Sequence, residues 1–141
     1  MNTGQTQLKG AQAGAHPFCV VCSSANPYGL RLKFKPDGDG GVSTMFLAHA
    51  ALEGYPGLLH GGVIASMLDG AMTNCLFAQG IVAVTGELTV RYWKPVLIGC
   101  ELQLRAWIEG QHRPLYLMRA ELAQQGCVNA TASAKFMERN E

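Results

Sequence analysis

The sequence predicts an α+β fold in which a curved antiparallel sheet wraps around one long central helix. Two patterns predict it: an apolar run of helical periodicity at residues 63–78, and alternation with a period of two in the stretches that follow. The length of 141 residues suits one domain with a core and leaves little room for a second.

The predicted central helix is apolar around nearly its whole circumference, which is typical of a buried helix. Its small or polar positions lie on one narrow line, at Gly62, Ser66, Asp69 and Thr73. The sheet is therefore expected to cover this helix.

Alternating apolar residues predict the strands. Leu30, Leu32 and Phe34 alternate with basic residues, a turn follows at residues 36–41, and Val42–Leu47 is predicted to return as the second strand of a hairpin. After Gly80, four more strands are expected in an antiparallel meander. Their apolar rows are Leu88, Val90 and Tyr92; Leu102, Leu104, Ala106 and Ile108; Tyr116, Met118, Ala120 and Leu122; Val128, Ala130, Ala132, Ala134 and Phe136.

Residues 1–15 lack periodicity and are interpreted as a flexible leader, so the single domain is assigned to residues 16–141. The net charge is +1 and 15% of the residues are charged, without a basic stripe, which argues against nucleic acid or an anionic membrane as a partner. No stretch is suited to a secretory signal or a membrane span, so a cytoplasmic location is expected. Five cysteines are then interpreted as free thiols.

Two indoles indicate an oligomer. Trp93 and Trp107 fall on the otherwise polar face of their strands, where bulky aromatic side chains are typical of a contact surface. A homodimer or a dimer of dimers is predicted. The alternative is that the N-terminal leader covers both side chains.

Candidate chemistry centres on the start of the central helix. His60-Gly61-Gly62 precedes it, and the free amides of a helix N-terminus favour an anion or a developing oxyanion. Asp69 follows about two turns later, in a segment almost without other charge. A carboxylate there is costly unless it is paired or solvated. It is interpreted as functional, or alternatively as a structural group that hydrogen-bonds Thr73 or a loop amide.

The chain resembles the hotdog-fold thioesterases of the PaaI-like, phenylacetate-pathway group. The resemblance covers residues 19–136 and implies a hotdog fold and the hydrolysis of acyl thioesters, with acyl-coenzyme A as the expected substrate and no cofactor. The residues that carry it are His60-Gly61-Gly62 with Asp69, residues 85–99 with Tyr92-Trp93-Lys94-Pro95, and Cys19-Val20-Val21-Cys22 with Asn26-Pro27-Tyr28-Gly29-Leu30.

The resemblance implies roles for four catalytic candidates. The Gly61 amide would polarise the thioester carbonyl, and Asp69 would act as general base or as nucleophile. Thr85 would hold the attacking water, although simple alternation puts it on the polar face unless the strand is irregular at Gly86. His60 would fix the loop or contact the substrate. The acid of one subunit would serve the neighbour's site, so a homodimer would be the minimal active unit.

Four further residues are candidates for substrate binding. Gly62 and Ser66 lie on the small and polar line of the helix. Glu53 stands near a position where some relatives carry Asn, which is a departure from their pattern. Lys94 has a charge suited to the phosphates of coenzyme A, although such lysines are more often simply solvated.

The sequence also supports other interpretations. His16, Cys19 and Cys22 have the spacing of three zinc ligands, but a fourth is missing, so a structural or incidental role is favoured and no metal is predicted. A hotdog dehydratase or hydratase would need a histidine base, for which His60 is the candidate. A non-catalytic acyl-CoA binding module is the third interpretation.

Overall fold

The structure, a computed structural model, describes residues 3–139. Its elements are helix α1 (Thr3–Ala15), strands β1 (Lys35–Pro36) and β2 (Val42–Leu47), a short 3₁₀ turn (Ala50–Leu52), helix α2 (Gly61–Ala78), and strands β3 (Ala83–Tyr92), β4 (Glu101–His112), β5 (Leu115–Gln124) and β6 (Cys127–Glu138). The strands form one antiparallel sheet in the order β1-β2-β4-β5-β6-β3.

Helix α2 lies in the core, as the sequence predicts. Apolar side chains such as Met67, Leu68 and Met72 are fully buried, and the helix packs against strands β2 to β6. Gly80 takes a φ of 74°, and the amides of Gly80 and Ile81 donate to the carbonyls of Phe77 and Leu76. This is the Schellman arrangement that ends a helix at a glycine. The predicted α+β fold with a central helix is confirmed.

The sheet connects its strands differently from the predicted meander. Strands β4, β5 and β6 follow one another as hairpins, but β3 pairs with β6 at the far edge and not with its neighbour in sequence. Local alternation carries no information about such a long-range pairing. The small row of β6 (Ala130, Ala132, Ala134) is buried, as expected for strand residues that face the helix.

The expected strand at Leu30 to Phe34 is wrong. Arg31 takes a φ of 55°, a left-handed conformation that interrupts an extended chain. The amides of Leu30 and Leu32 donate to the carbonyls of Val20 and Val21, so this segment pairs with the preceding loop. Leu32 and Phe34 are nevertheless buried, so the alternation correctly predicted the burial of these two side chains.

The N-terminal segment also differs from the flexible leader that its lack of periodicity predicts. Thr3–Ala15 is a helix that packs on α2. Its one fully buried apolar side chain is Leu8, and Gln12 Nε2 donates to Asn74 Oδ1 over 2.5 Å. Ala11 and Ala15 also pack against the core but are small and only partly buried, so the periodic pattern of this helix is weak.

The two tryptophans differ in exposure. Trp93 is exposed and its indole N–H donates to Thr131, while Trp107 is half-buried. The guanidinium of Arg91 lies over Trp93 and that of Arg105 over Trp107. Since α1 lies on α2 and Trp93 remains exposed, the leader does not cover this indole. The oligomer stays a prediction.

Candidate active site at the start of the central helix

The loop before α2 is held by its own hydrogen bonds. The Glu53 carboxylate accepts the Gly57 amide over 2.7 Å, and Gly57 takes a φ of 79° that glycine tolerates best. The amides of Leu59 and His60 donate to the carbonyls of Val96 and Leu52. In this arrangement Glu53 fixes the loop, and its contact with substrate stays a prediction.

His60 caps the helix. Its backbone is extended, with φ −61° and ψ 133°, and its Nδ1 accepts the Gly62 amide over 2.8 Å. A Cβ at position 62 would lie 3.0 Å from the ring, so glycine there makes room for the capping imidazole. Ser66, which is exposed, donates its hydroxyl to the Gly62 carbonyl.

The Gly61 amide is a free donor of this terminus. Among residues 3–139, neither the Gly61 amide nor the Val63 amide donates a hydrogen bond, whereas the Gly62 and Ile64 amides both donate to His60. Of the two unbonded amides, that of Gly61 belongs to a residue that lines the adjoining cleft. An N–H at a helix start with no partner is directed toward a ligand or solvent. The adjoining cleft, of about 390 Å³, is lined by Gly54, Tyr55, Leu59, His60 and Gly61.

Tyr92 is a residue of this site that the sequence reasoning missed. Its hydroxyl donates to the Gly61 carbonyl over 2.7 Å and so ties the end of β3 to the first turn of α2. Tyr92 was predicted to belong to an apolar core row, but its side chain is 53% exposed. A tyrosine at the last position of an alternating strand was the available signal.

Asp69 and Thr85 meet directly. The Thr85 hydroxyl donates to Asp69 Oδ1 over 2.6 Å. The pairing of β3 with β6 skips Gly86, since Thr85 lies opposite Phe136 and Glu87 opposite Lys135. Cross-strand partners share a face of the sheet, so this bulge places Thr85 on the side of buried Phe136, toward the helix. The irregularity that the sequence analysis required at Gly86 is present.

The structural alternative for Asp69 is only partly met. Thr73 donates its hydroxyl to the Asp69 backbone carbonyl and not to the carboxylate. Asp69 itself is half-buried, and within residues 3–139 the Thr85 hydroxyl is the one group that donates a hydrogen bond to its carboxylate. Thr85 therefore orients the carboxylate, whereas Thr73 of the same helix does not bond to it.

The Gly61 amide and the Asp69 carboxylate are far apart within one chain. They are separated by eight residues of helix, which corresponds to about 12 Å along the axis. Lys94 lies just beyond β3, exposed, with its amide bonded to the Asn129 carbonyl. The chain therefore carries two groups of candidate residues, one at the start of α2 and one in its middle.

Comparisons with known proteins identify the family. Residues 56–131, more than half of the chain, match the model of the thioesterase superfamily. This chain belongs to the thioesterase superfamily. The match includes both groups of candidate residues except Glu53.

Other thioesterases are similar over part of the chain. Acyl-coenzyme A thioesterase THEM4 of Rattus norvegicus is 40% identical over 55 residues, which is 39% of this chain and 24% of that protein. THEM4 of Bos taurus is 35% identical over 63 residues, 45% of this chain and 25% of that protein. The chain thus spans about a quarter of the length of these relatives.

Solved structures of thioesterase-superfamily and PaaI proteins share the fold, which confirms the predicted hotdog fold and the PaaI-like resemblance. A putative thioesterase of Ralstonia eutropha, related to phenylacetic acid degradation, has 25% identity and a TM-score of 0.72, covering 96% of this chain and 99% of that one. PaaI of E. coli has 17% identity and a TM-score of 0.73, covering 95% and 92%. The Streptococcus mutans protein smu.793, bound to acetyl CoA, has 19% identity and a TM-score of 0.72, covering 78% and 90%.

None of the helices in residues 3–139 is both long and apolar enough to cross a membrane.

Proposed function

We propose that this thioesterase-superfamily chain hydrolyses acyl thioesters, with acyl-coenzyme A as substrate, at a site formed by the start of α2 and Asp69. The observation that carries the proposal is the hydrogen bond of 2.6 Å from Thr85 to Asp69 Oδ1. It leaves an oriented carboxylate on a helix whose free N-terminal amide faces a cleft. The partial similarity to acyl-coenzyme A thioesterase THEM4 supports the substrate class.

The Gly61 amide is the group proposed to polarise the thioester carbonyl. As the carbonyl carbon becomes tetrahedral, its oxygen gains negative charge, which a fixed N–H donor at a positive helix end stabilises. Tyr92 holds the Gly61 carbonyl and His60 occupies the next amide. Both bonds fix the backbone around Gly61 and therefore the direction of its N–H.

Asp69 is proposed to supply the attack, either as a general base for water or as a nucleophile. Both routes need an ionised carboxylate with one oxygen available. Thr85 occupies Oδ1, so the other oxygen is assigned to water or to the acyl carbon. In the general-base route, the Thr85 oxygen would also accept a hydrogen bond from the attacking water.

A complete site is proposed to need two chains. The carbonyl must lie about 3 Å from the oxyanion donor and the attacking oxygen about 3–3.5 Å from the carbon. Within one chain, Gly61 and Asp69 are about 12 Å apart along the helix. Asp69 of a second copy would therefore complete the site at Gly61, which is the reason for proposing a homodimer.

Hydrolysis itself is tested by the release of free thiol from short-chain, long-chain and aryl acyl-CoAs. Turnover of any of these separates the proposal from the hydratase and the non-catalytic binding module, since neither of those releases a thiol. The expected result is thiol release that depends on both Gly61 and Asp69. Binding of acyl-CoA without thiol release across the panel would contradict the proposal.

The two-chain site is tested by mixing two inactive variants, Gly61→Pro and Asp69→Asn. Proline is favoured at the first helical position, and the extended His60 backbone (φ −61°, ψ 133°) suits a following proline. The variant thus removes the N–H while keeping the helix. Gly61→Ala is the matched control, because it keeps the N–H and its Cβ would lie 3.6 Å from the Tyr92 ring, an ordinary contact.

Random reassembly of the two variants should restore about a quarter of the wild-type activity, since half the dimers are mixed and each has one intact site. Unfolding and refolding the mixture, followed by the thiol-release assay, measures this. Each variant refolded alone is the baseline. A mixture no more active than its components would show that Gly61 and Asp69 of different chains do not act together.

A further inference from the structure

Three side chains that the proposed reaction does not use meet where α1 ends. One ligand atom each of His16, Cys19 and Cys22 lies within 4.8 Å of the other two, and His16 Nδ1 is 3.9 Å from Cys22 Sγ. Residues 3–139 contain no other group of three histidine, cysteine or acidic side chains with such convergence. Their sequence spacing is that of three zinc ligands, and the missing fourth ligand favoured a structural or incidental role. The convergence of the three side chains in space is a separate observation.

The loop between the two cysteines is folded around the first sulfur. The amides of Val21 and Cys22 both donate to Cys19 Sγ, over 3.3 and 3.4 Å. Hydrogen bonds of this kind offset part of the negative charge on a thiolate ligand and fix the direction of its lone pairs. Cys19 therefore has the surroundings of a metal ligand as well as the spacing.

We propose that His16, Cys19 and Cys22 bind a thiophilic metal ion, for which zinc is the case to test. Zinc in tetrahedral geometry, with sulfur at about 2.3 Å and nitrogen at about 2.0 Å, places neighbouring ligand atoms about 3.5–3.8 Å apart. The three side chains need to move by only about 1 Å to reach it. Two thiolates and an imidazole select zinc over magnesium or calcium.

Binding of the metal ion displaces the protons of the two thiols. Both thiols are deprotonated as the sulfurs coordinate, the two protons pass to solvent, and the imidazole binds as the neutral base through Nδ1. No described histidine, cysteine or acidic residue reaches the fourth position. A water molecule is the ligand assigned to it.

The position of the cluster assigns a structural role to the ion. His16 packs edge-on against Phe77 of α2, with 5.0 Å between the ring centroids. Val21 lies against Gly70, where an added Cβ would come within 2.4 Å of its side chain. An ion held here would fasten the end of α1 and the 19–22 loop to the central helix, remote in sequence from His60 and Gly61.

The first experiment measures zinc binding by the untagged chain of 141 residues. Reduced protein is freed of metal and titrated with Zn²⁺ in competition with a chromophoric chelator, with Mg²⁺ as the comparison ion. The expected result is one zinc per chain, together with a rise in Tm of about 5 °C or more at excess zinc. Substitution with Co²⁺ should give the near-ultraviolet charge-transfer bands of thiolate ligands.

The second experiment compares Cys19→Ser and His16→Gln with Cys127→Ser, a matched control at an exposed cysteine outside the cluster. The first two should bind zinc at least tenfold more weakly and lose the rise in Tm, and the control should behave as wild type. If either ligand variant fails to fold, the stoichiometry and cobalt spectrum of the wild type decide alone. Reduced wild-type protein that binds no zinc at micromolar concentration, or that loses none of its affinity in Cys19→Ser, would overturn the proposal. Formation of a Cys19–Cys22 disulfide by a chain without zinc affinity would do the same.

Discussion

At the scale of single residues, the site depends on the two glycines that begin α2 and on the bulge at Gly86 in β3. Gly62 makes room for the His60 imidazole, which accepts a hydrogen bond from the Gly62 amide. The Gly61 amide is left without an acceptor. The bulge at Gly86 brings the Thr85 hydroxyl to Asp69. The first arrangement leaves the Gly61 N–H available, and the second orients the Asp69 carboxylate. Both groups lie on a helix that is otherwise apolar.

Replacement of Asp69 by Asn tests the acid. The change keeps the shape and removes charge and basicity, so thiol release should fall by about 10²-fold or more. Stability should stay within about 1 kcal/mol of wild type or rise, because a partly desolvated charge is removed. Turnover and Tm measured on one preparation check both. A variant that melts well below wild type and still turns over normally would indicate a structural carboxylate.

Thr85→Val and Thr85→Ser form a matched pair for the hydroxyl. Valine keeps the branched shape and removes the donor to Asp69, so kcat should drop roughly tenfold or more. Serine keeps the donor and should retain most of the activity. Equal kcat values for the two variants, from full kinetic curves, would remove the hydroxyl from the mechanism.

At the scale of elements, periodicity predicted the helices and strands that bury one whole face or their entire surface. The central helix, β2 and the strands β4 to β6 were predictable for that reason. Helix α1 was not, since Leu8 is its one fully buried side chain and the alanines that pack beside it are small. The alternation at Leu30 to Phe34 gives no sign of the left-handed conformation at Arg31. The partner of β3 depends on contacts distant in sequence. In the site, the helix start after His60 was predictable from the sequence, whereas the bond from Tyr92 to Gly61 depends on that same distant pairing.

Leu8→Ala tests how firmly α1 is attached. The side chain is 1% exposed, and truncating a buried leucine costs about 2–5 kcal/mol, so the free energy of unfolding should fall by about 2 kcal/mol. Lys9→Ala, at the neighbouring and exposed position of the same helix, should change it little. Urea unfolding of both variants measures the difference. An unchanged Leu8→Ala midpoint would support the flexible leader that the sequence suggested.

Removal of residues 1–15 separates attachment from activity. Since the proposed catalytic residues lie outside α1, activity per folded molecule should persist in the truncated chain, with a lower Tm. Thiol release normalised to folded protein checks this. Loss of activity in a fully folded truncated chain would show that α1 contributes to the site.

At the scale of the whole molecule, the proposed reaction and the exposed apolar surface both favour more than one chain. Trp93 stays exposed on the outer side of the sheet, and the two groups of candidate residues lie too far apart to act within one chain. We expect a dimer or a dimer of dimers at micromolar concentration, measured by light scattering or sedimentation. A stable, active monomer would contradict both the oligomer and the shared site.

The place of β3 at the end of the sheet order has a practical consequence for protein engineering. Within residues 3–139, one side of this ten-residue strand pairs with β6 and the other side has no strand beside it. A long strand edge invites aggregation wherever no neighbouring chain covers it, and Val84 adds an apolar side chain that is 52% exposed in the single chain. Libraries that vary β3 to alter catalysis through Thr85 will therefore also select for solubility. Expression yield has to be recorded beside activity in such libraries, because a variant lost to precipitation would otherwise be scored as a catalytic failure.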